Sequence, residues 1–381
     1  MNNLPKNFEQ YSETRRNGFI KVKELKDKGQ KVVGTFCTFA PVEAIYAAGA
    51  YPISLCAVSE ETIPDAEKHL PKNLCPLIKA SYGFALTDKC PYTYFSDLIV
   101  GETTCDGKKK MYEYLEEIKP LHVMQLPQNT NRDHALKVWK EEIKYFIERL
   151  EEQFNVKVTE EALKEAIKIR NEERTALKDL YSLAKLNPAP ISGLQLHKII
   201  DATHYTFDKK EQNRMIRETI EDIKNNYEAN RDTYKTGPRI LITGCPIGGV
   251  ADKVLTAIEE AGGVVVCFEN CSGIKEKIKL VDETKDPIDA LAEKYLSIPC
   301  SVMAPNDGRL ELISDLVDEF QVDGVIDITL QACHTYNVET HRIKKFVNEE
   351  KKIPYMNIET DYSTSDIGQL KTRMAAFIEM L

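Results

Sequence analysis

The sequence predicts an α/β protein with two open, mostly parallel sheets and a helical segment between them. Three observations carry this expectation. Short apolar runs alternate with amphipathic stretches up to about residue 130, the same alternation returns after residue 236, and the stretch between is charged and helically patterned.

Residues 1–30 read as one or two amphipathic helices, with Phe8, Tyr11, Phe19, Ile20 and Val22 as apolar points. KVVGTFCTF follows as a first strand ending at Cys37. Pro41-Val42-Glu43 opens a helix, since proline suits a first helical turn, and Gly49 closes it. YPISLC is a second strand ending at Cys56, and NLCPLIKASYGFAL is a turn and a helix. FSDLIVGETTC is a third strand ending at Cys105, KKKMYEYLEEI a helix and LHVMQLP a fourth strand.

HALKVWKEEIKYFIERLEEQF and EEALKEAIKIRNEERTALKDLYSLAK carry apolar residues at helical spacing among many charges, and NPAPISG breaks the run. RILITGCPIGG then gives strand, turn and helix. GGVVVCFENC is a strand running toward Cys271, DGVIDITLQAC one ending at Cys333, and IPYMNIETD the last; GQLKTRMAAFIEML is a closing helix. The expected organisation is an N-terminal α/β unit over 1–130, helices over 131–235 and a C-terminal α/β unit over 236–381, both α/β units Rossmann-like.

The 381 residues carry a net charge of −9, which argues against nucleic-acid binding. No stretch is long and apolar enough to span a bilayer. MNNLPKNFEQYSETRR lacks the apolar region of a secretory signal, so a cytoplasmic protein is expected, where stable disulfides are uncommon.

Ten cysteines therefore need another explanation. The plainer reading is that they are small buried apolar residues. Position separates the readings. In open α/β sheets ligands bind beyond the carboxyl ends of the strands, and Cys37, Cys56, Cys105, Cys245, Cys271 and Cys333 all fall at or just after predicted strand ends. No C-x-x-C pair occurs, so the spacing is neither that of a zinc ribbon nor of a ferredoxin. Thiolates scattered over loop tips of two units suit zinc, Cu(I) or iron–sulfur, with a larger cluster fitting best. Cys90 and Cys267 are read as structural, and Cys56 is left open. Glu43, Glu102 and Glu359 lie near strand ends as candidate proton carriers, against a capping or solvated role. His334 is a candidate proton donor or hydrogen-bond partner. GCPIGG is neither G-x-G-x-x-G nor a nucleotide-binding G-x-x-x-x-G-K-[ST], so ATP hydrolysis by this chain is not expected, and its glycines are read as a tight turn.

GTFCTFAPVEAIYAAGAYPISLC, NLCPLIKASYGFALTDKC, IVGETTCDGKKKMYEYL, ILITGCPIGG, ENCSG, DGVIDITLQACHTYNVE and IETDYSTSDIGQL together resemble the 2-hydroxyacyl-CoA dehydratase component D superfamily, over nearly the whole chain. The nearer resemblance is to its single-subunit branch, the double-cubane cluster proteins. That resemblance implies a homodimer with an [8Fe–9S] double cubane. It also implies a separate [4Fe–4S] activator that hydrolyses ATP to deliver electrons, and reduction of small unsaturated molecules. A single [4Fe–4S] cluster would use Cys75, Cys105 and Cys333. The double cubane adds Cys37, Cys271 and Cys300, with Cys245 as the rival of Cys300. A dehydratase subunit with one [4Fe–4S] cluster and a non-catalytic zinc or electron-transfer protein are the alternatives. Ser81, Tyr82 and Gly83 are read either as substrate-pocket residues or as ordinary helix packing.

Overall fold

The computed structural model describes residues 6–271 and 273–381. Residues 1–5 of the expected leading helices, and Ser272 of ENCSG, lie outside that range. Among the described residues there are two four-stranded parallel sheets. The first holds β1 (Lys31–Thr35), β2 (Ala50–Ser54), β3 (Leu98–Glu102) and β4 (Leu121–Met124) in the order β2-β1-β3-β4. The second holds β5 (Arg239–Gly244), β6 (Val264–Phe268), β7 (Gly324–Leu330) and β8 (Tyr355–Thr360) in the order β6-β5-β7-β8. The two sheets share one topology, and all eight strands match the apolar runs read from sequence.

The central strands β3, β5 and β7 are buried along their whole length, as parallel strands covered on both faces must be. Edge strands β2, β4 and β8 are partly open. β6 is also an edge strand yet fully buried. The helix Gly193–Thr203 covers it, so closely that a Cβ on Gly193 would meet Val265 Cβ at 2.5 Å. An unpaired edge is thereby shielded.

The segment between the sheets is helical, over Ala135–Phe154, Glu160–Ser182, Gly193–Thr203 and Lys209–Asn230. Its helices are stitched into both halves. Trp139 and Phe146 share a core with Val33 and Val100 of the first sheet and with Ile45 of the helix Val42–Ala47. That core also takes Leu291, Tyr295 and Cys300 from the C-terminal third of the chain. The leading helix, Phe8–Asp27, is a single helix. It buries Tyr11 and Val22, whereas Phe19 and Ile20 are exposed.

Candidate metal centre

Parallel strands all point their carboxyl ends one way, and a 2-1-3-4 order opens a crevice between strands 1 and 3, where consecutive connections part to opposite sides. Cysteines occupy that rim in a repeated pattern. Cys37 follows β1 and Cys245 follows β5; Cys56 follows β2 and Cys271 follows β6; Cys105 follows β3 and Cys333 follows β7. Cys75 lies between β2 and β3, and Cys300 between β6 and β7. Each half thus contributes four thiols at matching topological positions. Gly244 makes one of them possible. Its φ of +106° lets β5 turn at once, and a Cβ there would lie 2.1 Å from the Ile328 carbonyl oxygen. The next backbone N–H, of Cys245, donates to that oxygen at 2.7 Å. At Gly249 the glycine turn is closely approached by the ring of Tyr362.

Seven of these eight thiols, those of Cys37, Cys56, Cys75, Cys105, Cys271, Cys300 and Cys333, line a single cavity of about 360 Å³. Cys245 lies behind it, beside the lining residue Pro246, and its Sγ accepts from the Leu330 N–H at 3.3 Å. Phe36, Leu74, Leu77 and Ile78 supply apolar walls. Cys267 is inside β6 and Cys90 caps a short helix, both away from the cavity.

The thiols fall into two groups. Cys333 faces Cys245 and Cys75, whose thiols hold it well below its usual pKa, and the same pairing pushes Cys75 up. Burial, with Cys333 adding to it, raises Cys245. Cys300 and Cys271 face each other; contact with Cys300 lowers Cys271, with Lys275 and Tyr336 helping. Burial pushes Cys37 up to about 12. Cys105, raised by burial, senses both Cys333 and Cys300 and so bridges the groups. Cys75, Cys105 and Cys333 are each the N-cap of a helix, over Pro76–Leu86, Asp106–Glu116 and His334–Lys345. The positive end of a helix favours a thiolate.

Cations stand beside the thiols, Lys108 partly buried and Lys275 fully so. Lys108 lies 3.9 Å from Glu102 and next to Cys37 and Cys56. Lys275 pairs with Glu269 at 2.8 Å and donates to the Tyr336 hydroxyl at 3.2 Å. That hydroxyl is 3.7 Å from Cys271 Sγ. Arg309 also pairs with Glu269, at 3.3 Å. Such charges favour an anionic group in the cavity. Lys108 and Tyr336 were not singled out from sequence, although each lies three residues after an N-cap cysteine and so on the same helix face. Among the described residues no three His, Cys, Asp or Glu side chains converge as ligands of one ion would. A cluster taking one thiolate per iron needs no such convergence, and an all-thiol donor set suits it.

The sequence profile described as "2-hydroxyglutaryl-CoA dehydratase, D-component" matches residues 37–381. The chain belongs to this family. It is 54% identical to "Putative dehydratase subunit YjiM" of Escherichia coli (strain K12), over 99% of this chain and 98% of that one. It is 27% identical to the (R)-phenyllactyl-CoA dehydratase beta subunit of Clostridium sporogenes, over 94% of each. It is 20% identical to a benzoyl-CoA reductase subunit of Thauera aromatica, over 93% of this chain and 92% of that one. Dehydratase and reductase subunits therefore share the family.

Within this family member the remaining candidate residues lie as follows. Glu43 is fully buried, accepting from Arg174 Nη2 at 2.7 Å and from the Tyr295 hydroxyl at 2.6 Å, and does not line the cavity. Glu102 is fully buried behind Lys108, and burial raises it to about 7. His334 lines the cavity beside Cys333 and is exposed. Glu359 is exposed on β8 and does not line the cavity. Ser81 accepts from the Ala57 N–H at 3.0 Å, the Tyr82 hydroxyl meets His69 Nδ1 at 2.6 Å, and Gly83 packs on Thr62. All three fix the loop after β2. Among the described residues no helix is long and apolar enough to cross a membrane.

Proposed function

We propose that this chain is a cytoplasmic, oxygen-sensitive iron–sulfur reductase that holds an [8Fe–9S] double cubane and reduces small unsaturated molecules. The observation that carries this reading is that thiols from both halves line one cavity, in a number exceeding the three that the family resemblance gives a single cubane. Cys75, Cys105 and Cys333 are assigned to one cubane and Cys37, Cys271 and Cys300 to the other. Cys300 is preferred over Cys245 because it lines the cavity while Cys245 lies behind it. When bound, the cluster supplies electrons singly at low potential. The chain's own residues bury it, exclude water with Phe36, Leu74 and Ile78, and offset its charge with Lys108 and Lys275. His334, at the cavity, is placed to hand a proton to substrate. Glu43 and Glu102 keep proposed supporting roles, through Arg174 and Lys108 respectively. The family resemblance implies a separate [4Fe–4S] activator protein that hydrolyses ATP, with which the lack of a nucleotide-binding loop in this sequence is compatible, and a homodimer as the working unit.

A second reading, a dehydratase subunit with one [4Fe–4S] cluster on Cys75, Cys105 and Cys333, is favoured by the 54% identity to YjiM. The test is anaerobic turnover with activator and ATP. Acetylene reduction without any acyl-CoA supports the first reading; activity only on a 2-hydroxyacyl-CoA supports the second and overturns the first.

A further inference from the structure

The thiol cavity does not end at the thiols. Arg170, His204 and Lys277 line both it and a small chamber of about 80 Å³. Tyr46 and Lys209 line both that chamber and a wide outer groove of about 940 Å³ beside the leading helix. The chamber thus stands between the outer groove and the thiols.

Its charges do not balance. Arg170, Arg174, Lys209 and Lys277 face it against only Glu173 and Glu276. The layer behind leaves the excess unchanged, because it adds one charge of each sign: Glu43, which pairs with Arg174, and Lys294, which pairs with Glu276. Most of the chamber's ions are paired: Arg170 with Glu173, Lys209 with Glu173 at 3.1 Å, and Arg174 with Glu276 at 2.9 Å. Lys277 is the exception. It is 4% exposed, and its Nζ donates to the Gly273 carbonyl at 2.8 Å. Among the described residues it forms no ion pair. Burial, which neighbouring Glu276 does not offset, lowers its pKa, and Arg170 adds to the shift. A buried ammonium without a counter-ion is costly, and it lines a space that holds two or three waters at about 30 Å³ each.

We propose that this chamber is an anion-binding site, in which Lys277 and Arg170 take one carboxylate-sized negative group between the outer groove and the thiols. The consequence for reduction rests on the reading of the thiol cavity given above; the binding itself is read from the chamber's own charges. A negative group held there fills the charge deficit, and a substrate carrying it is presented to the thiol cavity through the shared lining. The source is either a free small anion or the anionic end of a longer acid whose chain lies in the outer groove.

The test is isothermal titration of sodium formate into the protein purified without oxygen, with iron assayed on the same samples. Saturable binding is expected, weakened roughly tenfold or more in Lys277→Met. It should be restored toward wild type in Lys277→Arg, which keeps the charge, and unchanged in the surface variant Lys224→Met. Equal binding in Lys277→Met, or no saturable binding to the wild type, overturns the proposal. If Lys277→Met fails to fold, Arg170→Gln is read in its place against the same expectation. Hexanoate binding tighter than formate assigns the anion to a longer acid, and equal binding assigns it to a free small anion; both keep the site. Anion binding without iron leaves the chamber standing and removes the cluster reading, whereas iron without anion binding does the reverse.

Discussion

Cys333 meets Cys75 and Cys245, and Cys271 meets Cys300 and Tyr336. Serine at either position exchanges a soft thiolate for a weakly coordinating hydroxyl. Cys333→Ser and Cys271→Ser should therefore each lose about half of the iron, the share of one cubane, while Cys90→Ser should keep it. Full iron content in Cys333→Ser or Cys271→Ser, assayed after anaerobic purification, contradicts that residue's assignment. Arg174 acts on stability instead. It is fully buried and joins Glu43 to Glu276, so Arg174→Met leaves both carboxylates short of their partner and should cost about 3–5 kcal/mol in denaturant unfolding. A loss below about 1 kcal/mol would show that Lys294 and Arg170 can replace it. That the strand-end cysteines gather in one place was legible because any residue following a parallel strand is carried to the same rim. The Glu43–Arg174 pair was not, because it joins residues 131 apart through the packing of the helix Glu160–Ser182 on the helix Val42–Ala47, and no local pattern reports such a contact.

At the scale of elements, the strands were readable because strands covered on both faces are written as unbroken apolar runs. β7, GVIDITL, interrupts its run with Asp327. Burial raises that carboxyl to about 6, with Tyr355 donating to Oδ2 at 2.8 Å. A carboxyl whose folded pKa lies above its unfolded value contributes most below the unfolded value, near 3.8, and that contribution is lost as pH rises through about 6. Asp327→Asn should thus be more stable than wild type at pH 8, by up to about 3 kcal/mol, with the gap narrowing toward pH 5. A gap that does not change with pH would show that Asp327 is not held protonated by burial. The cover over β6 was not readable as such. Its sequence, VVVCF, is equally that of a central strand, and so apolar an edge is tolerable because the helix Gly193–Thr203 covers it, together with the helix Ala251–Glu260 and the turn Leu183–Lys185. Helical spacing from Cys105 to Lys108 and from Cys333 to Tyr336 did carry information about the site that a search for ligands alone passes over.

Across the whole molecule, two halves of one topology face their strand ends to a common cavity, and that convergence is what turns scattered cysteines into a candidate cluster site. The sequence showed the two halves separately. It did not show that residues from both sides share one core, since Leu291 and Tyr295 pack with Val33 and Trp139 only once the chain has folded. Light scattering on the anaerobic protein should give the mass of two chains, and a monomer would remove the homodimer from the account. The central claim is tested most directly by iron and acid-labile sulfide per chain, measured on protein purified without oxygen, with zinc assayed alongside. The account predicts about eight irons and nine sulfides. About four of each, or zinc in place of iron, would contradict it.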